Sequence, residues 1–329
     1  MKQPEYQGNG WIVHNSDCVE GMHAMPENSV DLCVFSPPFG DIFVYSDSER
    51  DLGNAGHGEK FLGQYRFFAE ALTRVMKPGR MTCVHCSDTP SRKGRDGAIG
   101  LQDFSGDLIK AHTDAGMIYH GRVTIWKDPV VEMQRTKALG LLYKQIRKDS
   151  AMNRVGMPDY MLFFRAPGDN PDRIEHATPG DTEAALPIAK KWLAHMRKEG
   201  LCKEIPDDDV LRELIKHVEF DVYEWQKLAS PVWMNIQQGN VLNGWRNAKG
   251  ELDERHVCPL QLDTIANCLR LYSKPGDVVM DPFNGIGSTG FEAVRNLRKY
   301  VGFELKAEYA AQAGQNLKIA EQSAGDLFQ

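Results

Sequence analysis

The stretch VVMDPFNGIGSTGFEAV, residues 278–294, decides the fold class of this chain. Its first residues predict a buried β-strand that ends at Asp281, and Gly285 and Gly287 then form a turn before a helix that begins near Ser288. Glycine lets the backbone turn tightly and approach a ligand, and the first turn of a helix offers unpaired N–H groups. This order of elements indicates a Rossmann-like α/β unit with a ligand at the strand end.

An acidic residue follows the next strand of the chain. Glu304, in the segment YVGFEL, ends that strand nineteen residues after Gly285, where an acid in Rossmann-like sheets accepts hydrogen bonds from both ribose hydroxyls. Taken alone, Glu304 is equally consistent with an acid at the start of a helix, but together with the loop it favours a nucleoside ligand. Unlike the usual GxGxxG fingerprint of dinucleotide sites, this loop has an acid, Asp281, before it in DPFNGIGSTG. A ligand without pyrophosphate is therefore favoured, and S-adenosylmethionine fits.

A second unusual strand end lies near the N-terminus, in VDLCVFSPPF, residues 30–39. Proline cannot donate to a sheet ladder and restricts the residue before it, so Ser36-Pro37-Pro38-Phe39 predicts a stiff loop directly after a strand. Such a loop can hold a ligand. On its own the segment is also consistent with an ordinary strand-exit turn, and the second motif is what favours a functional interpretation.

The two motifs resemble the defining motifs of DNA methyltransferases that act on exocyclic amino groups, DPFxGxGTT and [DNS]PP[YFW]. The catalytic motif precedes the cofactor motif, which is similar to the permuted order of the β class, often carried by phages and solitary bacterial methyltransferases. The resemblance covers nearly the whole chain apart from the middle segment. It implies a Rossmann-like methyltransferase fold with a mostly parallel seven-stranded sheet and S-adenosylmethionine as cofactor.

The resemblance also implies roles for individual residues. The Ser36 side chain and the Pro37 carbonyl would accept hydrogen bonds from the target amine, with Pro38 stiffening the turn, and Phe39 would stack on a flipped base. Asp17 and Cys18 would contact the adenine of the cofactor. The full set of predicted cofactor residues is Asp17, Cys18, Asp281, Pro282, Phe283, Gly285, Gly287, Ser288, Thr289 and Glu304. Where the family has a lysine in HPxQKPxxL, this chain has Leu260 or Gln261.

The motif letters leave the target base open. Ser36-Pro37-Pro38 is typical of cytosine N4 enzymes, whereas Asp or Asn at the first position is commoner among adenine enzymes. The resemblance to phage-type β-class proteins, many of them adenine-specific, turns our prediction slightly toward adenine N6. The alternatives are a cytosine N4 enzyme, a methyltransferase for RNA or protein amides, and a DNA-binding regulator without turnover.

Charge is unevenly distributed along the chain. The formal net charge of −6 argues against a uniformly basic protein. Between residues 127 and 154, however, seven Lys or Arg stand against three acids, which indicates a basic strip for phosphate contact. We expect double-stranded DNA as the partner. The candidate contacts are Arg135, Lys137, Lys144, Arg147 and Lys148.

Composition excludes several classes of protein. The 42% apolar content supports a globular core, and the chain shows neither an apolar run long enough to span a membrane nor a signal peptide, so we expect a cytoplasmic protein. Cys83 and Cys86, in CVHC, lack a partner pair at zinc-finger spacing. We interpret both as small buried hydrophobes and predict no metal.

The rhythm of the chain predicts three parts. Residues 1–165 form the catalytic half, with a mobile loop at 40–60. Residues 166–255, with helices near 183–199 and 207–229, form an insertion for target recognition or dimerisation. Residues 256–329 form the cofactor-binding half. The class resemblance implies a homodimer and leaves open whether a restriction enzyme accompanies the protein.

Overall fold

The computed structural model describes residues 5–39, 59–91, 100–136, 139–204, 207–243 and 259–325, with Gly94 and Gly97; the side chains of 59–60, 135–136, 139 and 325 fall outside this description. The strands are β1 (Glu5–Gly8), β2 (Trp11–His14), β3 (Val30–Phe35), β4 (Met76–Cys86), β5 (Thr89–Ser91), β6 (Gly100–Gln102), β7 (Ile118–Ile125), β8 (Asp159–Arg165), β9 (Val232–Trp233), β10 (Val278–Asp281) and β11 (Lys299–Phe303). The helices are α1 (Cys18–Ala24), α2 (Glu59–Val75), α3 (Phe104–Asp114), α4 (Pro129–Thr136), α5 (Tyr143–Lys148), α6 (Thr182–Lys198), α7 (Asp208–Val218), α8 (Val222–Leu228), α9 (Leu262–Tyr272), α10 (Ser288–Arg295) and α11 (Ala307–Gly325).

Within the described part of the chain, nine strands form one sheet in the order β1-β2-β11-β10-β3-β4-β8-β7-β9, in which β1 and β8 run antiparallel to the other seven. The predicted Rossmann-like, mostly parallel sheet is confirmed, but the predicted count of seven strands is too low. The sheet gains β1 at one end through a hairpin turn at Asn9-Gly10, where Gly10 has φ +75°. It gains the two-residue strand β9 at the other end.

Helices cover both faces of the sheet. All six residues of β3 are buried, as expected for a parallel strand packed on two sides. One face packs against aromatic residues of α2 and α3, including Phe68 and Phe104, and the other packs against α9, α10 and α11 through residues such as Ile265 and Leu317. Among the described residues, no helix is long and apolar enough to cross a membrane.

Because most strands are parallel, their carboxyl ends meet along one edge of the sheet, here called the carboxyl edge; the opposite side is the amino edge. The motif residues that follow β2, β3, β10 and β11 all lie at the carboxyl edge. Ligands of open α/β sheets bind at this edge. The strand order therefore collects motifs from both ends of the chain.

Part of the middle segment, strand β9, belongs to the sheet, and another part forms a smaller cluster of helices at the amino edge. Helices α6 and α7 pack together with Leu297, which precedes β11, and Lys299 at the start of β11 donates to Glu199 at 3.1 Å. The predicted single helix over 207–229 is wrong. The chain breaks between α7 and α8 because Asp221 caps a new helix, its carboxylate accepting from the Glu224 N–H at 2.5 Å.

Candidate active site

The proline turn and the glycine-rich loop lie side by side. Strands β3 and β10 are neighbouring parallel strands, with Met280 opposite Cys33. The Thr289 hydroxyl, at the start of α10, donates to the Val34 carbonyl at 3.2 Å. Phe283 packs against Phe35 with ring centroids 5.6 Å apart. The spatial requirement of a transfer reaction between two ligands, one at each motif, is therefore met.

The two glycines of the loop have different tasks. Gly285 and Gly287 adopt φ +51° and +87°, in the left-handed region that favours glycine. A Cβ on Gly287 would lie 2.8 Å from the Leu317 side chain, so this glycine permits the packing of α10 against α11. A Cβ on Gly285 would meet no described atom within 4 Å. Gly285 thus borders open space at the strand ends, where a ligand can approach the backbone.

Asp281 is a buried acid beside this open space. Its side chain is 5% exposed and accepts a hydrogen bond from the Phe283 N–H at 2.9 Å. Burial raises the pKa of Asp281 to about 7, although the Thr289 hydroxyl and the Phe283 N–H act in the opposite direction. A cationic ligand group would favour the charged carboxylate.

Glu304 combines both interpretations of its sequence position. One carboxylate oxygen accepts from the Gly285 N–H at 2.8 Å and the other from the Lys306 N–H, at the start of α11, also at 2.8 Å. Asn15 holds the same corner by donating to the Glu304 carbonyl at 2.8 Å. A carboxylate can accept about four hydrogen bonds. Its two backbone contacts are therefore compatible with the predicted contact to ribose hydroxyls.

Asp17 and Cys18 begin α1 at the same edge. Asp17 is the N-cap, accepting from the N–H groups of Val19 at 2.8 Å and Glu20 at 3.0 Å. Cys18 is 8% exposed, and burial, followed by the nearby Asp17 charge, raises the pKa of its thiol. The thiol stays neutral and packs in the core. The predicted contact of both residues with adenine stays a prediction.

The proline turn holds its serine next to a histidine. Pro37 and Pro38 are buried, and Ser36 is half-buried with its Oγ 3.2 Å from Nδ1 of His85. Phe39 packs edge-on against Phe104, with centroids 5.6 Å apart. His85 was not predicted as a site residue, although it is the histidine within CVHC. The sequence signal was present but pointed to the cysteines, and Cys83 and Cys86 are fully buried in the core.

The basic strip lies at the carboxyl edge, because it connects the end of β7 to the start of the antiparallel strand β8. Lys144, Arg147 and Lys148 are exposed on or at the end of α5. Arg135 lies in α4 with its side chain outside the described atoms, and Lys137 lies outside the described residues. Most of the predicted loop, residues 40–58, lies outside them too.

Among the described residues, one group has the spacing of metal ligands: Asp172, His195 and Asp277. It lies at the amino edge, away from the two motifs. Arg80 contacts both carboxylates, at 3.3 Å and 3.2 Å, and Lys274 pairs with Asp172. These cations already neutralise the acids, so the group does not suit a metal ion.

Comparisons with known proteins agree with this arrangement. A family model of N6 and N4 methyltransferases, described as DNA methylase, matches residues 30–315. The chain is 35% identical over 353 residues to the type II methyltransferase M.PvuII of Proteus hauseri, covering 99% of this chain and 90% of the relative. It is 23% identical over 308 residues to M1.MboII of Moraxella bovis, covering 92% and 94%.

Solved structures show the same fold. The PvuII DNA methyltransferase, described as cytosine-N4-specific, aligns with TM-score 0.60 and 17% identity, covering 99% of this chain and 94% of that one. A second solved structure is that of a protein of Thermus thermophilus assigned as a DNA modification methylase, in complex with S-adenosyl-L-methionine. It aligns with TM-score 0.58 and 19% identity, covering 94% of this chain and 95% of that one.

Proposed function

Because this chain belongs to the DNA methylase family of N6 and N4 methyltransferases and is an S-adenosylmethionine-dependent DNA methyltransferase, we propose that it methylates the N4 amine of cytosine. The observation that carries the choice of base is Ser36-Pro37-Pro38-Phe39 at the end of β3, facing the glycine-rich loop. The relative that matches nearly the whole chain at 35% identity, M.PvuII, is described as cytosine-N4-specific. This similarity is more specific than the general class resemblance from which the sequence alone favoured adenine N6.

The residues at the carboxyl edge fit S-adenosylmethionine, which supplies a methyl group on a positively charged sulfur. Gly285 leaves open space, and Asp281 offers a buried carboxylate that suits the ammonium group of the methionine part. Glu304 is placed to accept from ribose hydroxyls. Asp17 and Cys18 would border the adenine, and Pro282, Phe283, Gly287, Ser288 and Thr289 would shape the loop around the cofactor.

The proline turn would prepare the amine for attack. The lone pair of an exocyclic amine is delocalised into the base, so the nitrogen is a poor nucleophile. Acceptors placed at its N–H groups favour an amine-like geometry, most effectively when they are fixed beforehand. The Ser36 hydroxyl and the Pro37 carbonyl would be these acceptors, and the buried prolines hold both in place. Phe39 would stack on a base flipped from the duplex.

The DNA would approach the carboxyl edge. Lys144, Arg147 and Lys148 are exposed there, with Arg135 and Lys137 in the same connection, and all five would contact phosphates. The topology limits which part of residues 166–255 is placed to contact the bases. Helices α6 and α7 lie at the amino edge, so base contacts would come from the stretch after Trp233, where β9 ends at the carboxyl edge. The homodimer stays a proposal.

The test is to express the chain in a methylation-free host and to analyse nucleosides from its DNA by mass spectrometry. We expect N4-methylcytosine, and loss of the hydroxyl in Ser36→Ala should reduce its formation about 100-fold. Ser29→Ala is the matched control, because this half-buried serine lies just before β3, at the opposite end of that strand, and its hydroxyl donates to the Pro26 carbonyl. N6-methyladenine would overturn the choice of base, and unmethylated DNA would overturn the proposal.

A further inference from the structure

The proposed acceptor Ser36 is the first of four side chains that contact one another in a row. Its Oγ lies 3.2 Å from His85 Nδ1, His85 Nε2 lies 3.3 Å from an Asp159 carboxylate oxygen, and the other Asp159 oxygen accepts from Lys127 Nζ at 2.5 Å. The residues come from neighbouring strands: His85 from β4, Asp159 from the start of β8 and Lys127 from just after β7. His85 and Asp159 are 8% and 5% exposed. This row of contacts is called the Ser36 relay below.

The relay determines where the imidazole carries its proton. Burial alone would raise the pKa of Asp159, but contacts with His85 and Lys127 hold it below its ordinary value, so Asp159 is a carboxylate at neutral pH. A carboxylate beside Nε2 favours the tautomer with the proton on Nε2. Nδ1 is then an acceptor, and the Ser36 hydroxyl must be the donor in the contact between them.

This orientation matters for an amine that has to act as a nucleophile. With its proton turned toward His85, Ser36 presents only lone pairs to the target N–H. A freely rotating hydroxyl could instead donate to the amine nitrogen and occupy the lone pair needed for attack. A neutral serine alone is a weaker acceptor than the carboxylate of an aspartate. The charge of Asp159 acts on the serine through His85 and compensates for this.

We propose that His85, held by Asp159, is a positioning residue that orients the Ser36 hydroxyl and receives a proton through it. When the methyl carbon bonds to the amine nitrogen and its bond to sulfur breaks, the nitrogen becomes positively charged. It then passes one proton to Ser36 Oγ, while the original hydroxyl proton moves to His85 Nδ1. Asp159 stabilises the resulting imidazolium. The inference rests on the proposed role of Ser36 and holds for either target base.

The chain offers a matched control for a purely structural role. His195 is also a histidine beside a buried acid, with Nε2 3.2 Å from an Asp277 oxygen. It lies at the amino edge, and its partner Asp277 stands before the glycine-rich motif and outside it. Replacing it removes a comparable contact without touching the Ser36 relay.

The experiment compares His85→Phe with His195→Phe in the full-length protein, measuring kcat and KM for duplex DNA and binding of S-adenosylmethionine. We expect His85→Phe to lower kcat about 100-fold, in the range of proton-transfer catalysis, with KM and cofactor affinity within about twofold. His195→Phe should keep wild-type kcat per folded molecule. The kcat of His85→Asn should be about tenfold higher than that of His85→Phe, because the amide oxygen of asparagine can still accept from the Ser36 hydroxyl.

Equal kcat losses in the two phenylalanine variants, or wild-type kcat in His85→Phe, would overturn the inference. If His85→Phe does not fold, Asp159→Asn decides instead, with an expected fall in kcat of about tenfold at unchanged cofactor affinity; an unchanged kcat would contradict the relay. Ser36→Ala separates the two proposals. Activity lost in Ser36→Ala but kept in His85→Phe rejects only the relay, whereas activity kept in both rejects the role of Ser36 as well.

Discussion

Each edge of the sheet places a histidine against a buried aspartate, and the surroundings of the two pairs differ. At the amino edge, Asp277 accepts from Arg80 at 3.2 Å as well as facing His195, within a network in which Arg80, Lys77 and Lys274 balance Asp31, Asp172 and Asp277. At the carboxyl edge, Asp159 has Lys127, and the second nitrogen of His85 reaches Ser36.

The difference teaches that ligand-like spacing is a poor guide to function unless neighbouring charges are counted. The amino-edge acids have the spacing of a metal site, yet their cations make them a closed ionic network. That network ties Asp172 and His195 of the middle segment to the sheet. The Ser36 relay at the carboxyl edge ends on the Ser36 hydroxyl in the proline turn, where the hydroxyl can contact a substrate. We interpret the amino-edge ionic network as a structural feature and the Ser36 relay as part of the methyl-transfer reaction.

The largest expected effect concerns the amino edge. Arg80 is 2% exposed and lies within 3.3 Å of three carboxylates. Arg80→Met should lower the free energy of unfolding by about 3–5 kcal/mol, because it leaves buried acids without their central cation. Urea denaturation measures this loss. Methyl transfer per folded molecule should not change; a loss below about 1 kcal/mol, or a selective loss of kcat, would contradict the division between the two edges.

A pH experiment sharpens the comparison. The pKa of Asp281 is raised to about 7, so this carboxyl is mainly protonated below pH 7 and charged above it. The ammonium of S-adenosylmethionine favours the charged form, and the dissociation constant should therefore fall about fivefold between pH 6 and pH 7. Calorimetric titration of wild type and Asp281→Asn measures the difference, since the variant retains only the titration of the ligand. Equal pH dependence in both proteins would exclude this role of Asp281.

The amino-edge acid should behave in the opposite way. Contacts with His195 and Arg80 outweigh burial and hold the pKa of Asp277 below its ordinary value of 3.8. Its contribution to stability is therefore present above that pH and is lost as the pH falls further. Between pH 6 and pH 7 it stays charged and contributes no pH dependence to cofactor binding.

The smallest expected effect compares two half-exposed lysines. Lys77 donates to Asp31 at 2.8 Å, and Lys127 donates to Asp159 at 2.5 Å. Lys77→Met should cost under about 1 kcal/mol of stability and leave kcat unchanged, since Arg80 still pairs with Asp31. Lys127→Met should lower kcat about threefold, because Asp159 loses its cation. The reverse pattern, in denaturation and steady-state assays of both variants, would argue against the comparison.

Local signals in the chain predicted the strands that end at the two motifs and a helix over 183–199, but they missed elements that depend on short caps or on pairing. The helix over 207–229 divides because Asp221 satisfies the N–H of a new first turn. The Asn9-Gly10 dipeptide is a local hairpin signal, and the strand it adds, β1, is absent from the prediction of seven strands. Strand β9 has two residues and exists because it pairs with β7, so no local pattern could predict it.

The sequence by itself determined the two strand-end motifs, since proline stiffness, glycine turns and helix starts are properties of consecutive residues. It also determined the family resemblance and the candidate cofactor residues. Only the tertiary structure decided that Ser36 meets His85 and that His85 meets Asp159. These contacts arise because β3, β4 and β8 are neighbours and β8 runs antiparallel, so the start of one strand lies beside the ends of others. Strand pairing joins residues distant in the chain, and that is a property of the folded sheet.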